Sequence, residues 1–144
     1  PVVQKAPPFG EVVRTLALAA AEDTAVLRAK LTAQIDLQAA LGVADTEEFI
    51  ASDQAFHRLM YEAAGAPDLY ELVRRRSGHL DRLRRLDLPS PGKAERVVRD
   101  HRAIVAALAA SDADAAQAAM RTHLSGTLGR IADIRARHPD YVAA

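Results

Sequence analysis

Asp53 and His57 stand four residues apart in IASDQAFHRLMYEAAG, and in a helix that spacing puts both side chains on one face. The same face carries Ile50, Met60 and Tyr61 or Ala64, so a carboxylate and an imidazole point toward the core. His101 shares its stripe with Val97, Ile104, Val105 and Leu108. His123 falls with Ala116, Met120, Leu124, Thr127 and Ile131, on the side of its helix that must pack. A single histidine on an apolar stripe is ordinarily a satisfied core residue, and an Asp-His pair at this spacing is an ordinary helix-surface interaction. Four such groups in one small domain are different, because each desolvated group needs a partner and one metal ion would serve all of them. Imidazole nitrogens with one carboxylate oxygen suit a borderline divalent ion: zinc first, with nickel, manganese or iron as alternatives. Four protein ligands close a tetrahedral site, whereas an octahedral ion keeps two positions for water or for the oxygens of a bound carboxylate.

Other chemistry has less support. The helical Glu-x-x-His and His-Glu-x-x-His signatures are absent, as is a glycine-rich phosphate loop. Ser52, Asp53 and His57 are too crowded on one helix to form a nucleophilic triad. A mononuclear metal-dependent enzyme therefore stands as an alternative to a binding domain, as does a plain helical interaction module with a buried polar cluster. The segment RRRSGHLDRLRRL reads as a solvated basic face, except that Arg76 lies on the stripe of Leu69, Leu72, Val73, Leu80 and Leu83. There it either snorkels outward or enters a pocket and grips a carboxylate with its planar guanidinium. His79 and His138 read as structural or exposed.

The elements that must position these residues are helices. Among the 144 residues, 49% are hydrophobic and only 4% aromatic, and alanine, leucine and arginine dominate with no convincing strand alternation. The pattern predicts helices over 11–21, 24–41, 45–64, 68–86, 94–110 and 112–137, hence an all-α antiparallel bundle of about six helices. Gly42, Gly65 with Pro67, and the DLPSPG turn at 87–92 mark the joins. Residues 1–9 are expected to form an extended segment, 10–138 the helical domain, and 139–144 a tail.

Charge and composition bound the function. Lys+Arg and Asp+Glu are each 19, giving a formal net charge of zero, which argues against nucleic-acid binding by a basic surface of this chain. Cysteine is absent, so no thiolate can ligate a metal or act as a nucleophile. No apolar run approaches the roughly 20 residues of a membrane span, so the chain reads as soluble with no membrane partner. The Pro-containing start without an initiator Met fits a cut at an interdomain linker.

DQAFHRLMYEAAG at 53–65, DHRAIVAAL around His101 and SDADAAQAAMRTHL ending just beyond His123 together resemble the FCD effector-binding domain of FadR-subfamily GntR transcription regulators. The resemblance covers about residues 45 to 130. It implies a metal held by Asp53, His57, His101 and His123, whose separations of 4, 44 and 22 residues are characteristic of the family. It further implies a small organic acid as effector, a homodimer, a cytoplasmic location, and DNA contact only through an N-terminal winged helix-turn-helix domain absent from these residues. In the family the first bundle helix often supplies an arginine to the acid, a role for which Arg14 is the counterpart here, alongside Arg76.

Overall fold

The computed structural model describes residues 8–142, and its described residues are helical without strands. Helix α1 (Pro8–Leu18) leads by a turn into α2 (Ala25–Leu41), followed by α3 (Thr46–Ala63) and α4 (Pro67–Arg75). Then come α5 (Gly78–Asp87), α6 (Lys93–Ala109), α7 (Ala113–Leu128), α8 (Ile131–Arg137) and the single turn α9 (Pro139–Val142). The all-α bundle expected from the sequence is what forms, with nine helical pieces among the described residues because two of the six predicted helices are broken and a further turn, α9, forms after them.

The breaks have local causes. At 76–78 the backbone switches to shorter-range bonds, Arg76 N–H to the Val73 carbonyl and Ser77 N–H to the Arg74 carbonyl, just before the poor helix former Gly78. The Ser77 hydroxyl also bonds back to the Val73 carbonyl, competing with helix continuation. The second break falls at Gly129 and Arg130. Starts behave as the sequence indicates: Asp45 accepts from the Glu48 N–H at 3.0 Å, and Asp112 from the Ala115 N–H at 3.0 Å. The first helix begins at Pro8, earlier than the expected residue 11, and the expected C-terminal tail holds the α9 turn. The rest of the expected N-terminal segment, residues 1–7, lies outside the described residues.

Helix α2 packs on α3 and α6, and α7 packs on α1 and α6. Between them Val13, Leu16, Leu31, Ile35, Phe56, Met60, Tyr61, Ile104, Leu108 and Met120 form one buried cluster. Fully burying each of these larger side chains contributes roughly 1.5–3 kcal/mol, which fixes the relative rotation of α2, α3, α6 and α7. A smaller cluster of Leu83 and Ile134 seats α8 against α5. None of the described helices is long and apolar enough to cross a membrane.

Candidate metal centre

That rotation turns the polar members of three apolar stripes toward one point. Asp53 and His57 come from α3, His101 from α6 and His123 from α7, and one ligating atom from each lies within 4.8 Å of the others. His123 Nε2 is 3.2 Å from His57 Nε2 and 3.1 Å from His101 Nε2. Asp53 Oδ1 is 3.1 Å from His101 Nε2 and 3.6 Å from His57 Nε2.

The donor set fits a metal ion. Four close approaches among three Nε2 atoms and one carboxylate oxygen cannot all be hydrogen bonds, since a neutral imidazole carries a proton on only one nitrogen and a shared N–H serves one line of contact. With the Nε2 lone pairs turned inward, the same atoms face one another as acceptors, an arrangement that a central cation satisfies. Bonds of about 2.0–2.1 Å from an ion to such ligands put neighbouring ligand atoms about 3.0 Å apart in an octahedron and about 3.3 Å apart in a tetrahedron. The observed spacings of 3.1, 3.1, 3.2 and 3.6 Å bracket the tetrahedral value and begin just above the octahedral one.

Electrostatics favour the ligating protonation states. Burial pushes all three imidazoles below the ordinary histidine value, and the carboxylates beside them, Asp53 for His57 and His101 and Asp100 for His123, offset this only in part. Burial alone would raise the Asp53 carboxyl, but His57 and His101 hold it well below the usual carboxylate range. At neutral pH these shifts favour three neutral imidazoles and one anion.

Neighbours orient the rings. Phe56 stacks on His101 with centroids 4.0 Å apart and planes 7° from parallel. His101 Nδ1 is 2.8 Å from Gln38 Oε1 of α2, and Asp100 Oδ2 lies 3.5 Å from His123 Nδ1.

A cavity opens onto this centre, about 460 Å³ counted out to its mouth, lined by Asp53 and His123 together with Phe49, Ile50, Leu88, Val97, Arg84 and Lys93. The two cations are anchored by buried acids. Arg84 bonds Asp81 at 3.2 Å, and Asp81 is also gripped by Arg74 at 2.6 Å. Lys93 Nζ sits 3.6 Å from Asp87 Oδ2, while Asp87 Oδ1 accepts from Arg130, Arg137 and Ser90.

The structure thus brings Asp53, His57, His101 and His123 together and leaves the two arginines expected at the effector elsewhere. Arg14 is exposed on α1, and Arg76 is exposed at the end of α4; neither lines the cavity. Arg76 is the exposed C-cap of α4, and the helix ends there, so its stripe does not run on into Leu80 and Leu83 of α5. Arg84 and Lys93 take the cavity positions, although Arg84 belongs to the arginine-rich segment that reads from the sequence as a solvated face. Ser52 bonds Gln34 of α2 and stands apart from the histidines as a structural contact. His79 is exposed, 3.4 Å from Arg82.

Comparison with known proteins agrees with this architecture. A model of the FCD domain family matches residues 12–126, a stretch that holds all four candidate ligands. The sequence is 38% identical over 99 residues to the "Uncharacterized HTH-type transcriptional regulator in unstable DNA locus" of Streptomyces ambofaciens, covering 69% of this chain and 42% of that relative. The chain spans less than half the length of the relative it matches. With most of its residues inside the family match, the chain belongs to the FCD domain family.

Proposed function

We propose that this chain is the ligand-sensing domain of a GntR/FadR-type transcription regulator, with a divalent metal held by Asp53, His57, His101 and His123 and a small organic acid bound in the adjoining cavity. The observation that carries the reading is the convergence of three Nε2 atoms and Asp53 Oδ1 at the wall of a cavity that also holds Arg84 and Lys93. A divalent ion at this site supplies a Lewis-acidic position for a carboxylate oxygen, zinc being the first choice and nickel, manganese or iron the alternatives. Arg84 offers donors of its planar guanidinium to an anion, and Lys93 a point charge. Phe49, Ile50, Leu88 and Val97 give the acid an apolar wall and keep water away, which strengthens both charge contacts.

Sensing requires that the acid bind one arrangement of the bundle more tightly than another. The cavity is lined from α3, α5, α6 and α7, so an acid drawn to Arg84 would bias α5 relative to the helices carrying the metal ligands. On this reading two copies pair as a homodimer in the cytoplasm, and DNA is contacted through a winged helix-turn-helix domain of the full-length regulator. The HTH-type name of the Streptomyces relative supports that part.

The test is metal analysis of protein purified without a chelating column, followed by calorimetric titration with small carboxylic acids before and after metal removal. The expected result is about one ion per chain and saturable binding of an acid, recovered unchanged, that weakens when the metal is stripped. Protein that takes up no divalent ion overturns the metal centre. An acid consumed in a metal-dependent reaction would favour the enzyme alternative.

A further inference from the structure

Helix α2 contributes none of the four ligand candidates, yet it places Gln38 against one of them. Gln38 continues the buried stripe of Leu27, Leu31 and Ile35, at a position where the helical period calls for an apolar side chain. It is fully buried, its Oε1 is 2.8 Å from His101 Nδ1, and its Nε2 has no hydrogen-bond partner. Leucine has a similar volume and would remove the unpartnered amide Nε2, but it would also take away the acceptor facing His101 Nδ1, so the glutamine answers to the histidine rather than to packing.

We propose that Gln38 is a positioning residue for the metal centre: by accepting the Nδ1 proton of His101 it holds that ring in the tautomer whose Nε2 lone pair faces Asp53, His57 and His123. A neutral imidazole has one N–H, so a proton fixed on Nδ1 leaves Nε2 bare. The acceptor also raises the basicity of the opposite nitrogen, as outer partners of metal-bound histidines do. Phe56, stacked on the ring, fixes its plane, while Gln38 fixes its proton and its rotation within that plane. The centre thereby involves four helices, α2, α3, α6 and α7. This inference rests on the metal reading above, and its test separates the two.

The experiment compares the parent chain with Gln38→Leu and Gln38→Glu, measuring Zn²⁺ affinity by competition with a chromophoric chelator and the melting midpoint of each metal-free protein. Gln38→Leu is expected to weaken Zn²⁺ binding about 10- to 100-fold while melting near the parent temperature, because losing the unpartnered amide offsets losing the acceptor of His101 Nδ1. Gln38→Glu, which can still accept the Nδ1 proton, is expected to bind Zn²⁺ at least as tightly as the parent. A purely structural role predicts the reverse order, with the buried carboxylate the more damaging change. Parental affinity in Gln38→Leu overturns the proposal, as does equal weakening in both variants. The ¹⁵N shifts of His101 in the metal-free parent are an independent reading should a variant fail to fold: an Nδ1-protonated ring is expected, and an Nε2-protonated ring overturns the proposal. Parent protein that binds no Zn²⁺ removes the metal reading, while the tautomer of His101 still decides the role of Gln38.

Discussion

His101 Nε2 lies 3.1 Å from Asp53 Oδ1 although 48 residues separate them in the chain, and the imidazole is completely buried. A neutral imidazole has one proton, so His101 can donate to Gln38 Oε1 through Nδ1 or to Asp53 through Nε2 but not to both. The pair is better placed to bind a cation together than to bind each other.

Replacing either His57 or His101 should therefore cost metal before it costs fold. His57→Asn and His101→Asn are expected to lose more Zn²⁺ affinity than the roughly 10–100-fold drop that follows loss of an outer partner. Metal content after dialysis against a weak chelator, with helicity as the folding control, checks this. Variants that retain the parent's metal would refute the ligand assignment.

Acidification should destabilise the metal-free protein in two stages. The three buried imidazoles have folded-state pKa values below the ordinary 6.5. Between those values and 6.5 the unfolded chain binds more protons, so stability rises with pH and their unfavourable contribution vanishes above 6.5. Asp53 is shifted below 3.8 and has the usual carboxylate sign: its contribution is present above 3.8 and is lost as pH falls through its folded value. Melting midpoints of the metal-free protein should fall between about pH 7.5 and about pH 5, and again in stronger acid. A flat profile across the first interval would contradict the burial of neutral histidines.

Arg84→Gln or Lys93→Gln should weaken acid binding with metal content unchanged. A charge-assisted hydrogen bond contributes about 1.5–3 kcal/mol, a change on the order of 10- to 100-fold in affinity. Arg14→Ala and Arg76→Ala, which alter exposed residues outside the cavity, should leave acid binding as it is. Calorimetry on the four variants distinguishes the cavity cations from the exposed arginines.

Asp87→Ala should loosen α8. The carboxylate is fully buried and receives Arg130, Arg137 and Lys93, but the two arginines are about one-third exposed and can turn to water. That solvent access keeps the expected loss to roughly 1–3 kcal/mol. Hydrogen exchange should show it as faster opening of 131–137, with α3 and α6 little changed.

The four ligand candidates were legible because each breaks an apolar stripe of its own helix, and a stripe is a property of sequence alone. Arg84, Lys93, Asp100 and Gln38 were not, since what brings them to the site is the angle at which α2, α5, α6 and α7 meet. The assignment of Arg76 shows the same limit from the other side. Arg76 keeps its phase with Leu69, Leu72 and Val73 of α4, but a stripe alone does not say whether a neighbouring helix covers it. Leu72, on the same stripe, is 39% exposed. The all-α class followed from composition and capping residues, whereas the seating of Arg130 and Arg137 on Asp87 depends on how α8 meets α5.

The turn between α5 and α6, residues 88–92, divides the ligand set evenly. Asp53 and His57 precede it; His101 and His123 follow. Neither half of the chain carries more than two of the four donors, so the cluster forms only where the two halves are docked. A bound ion would act as a clasp across that seam, and its retention after a cut in the turn would measure how firmly the halves hold each other.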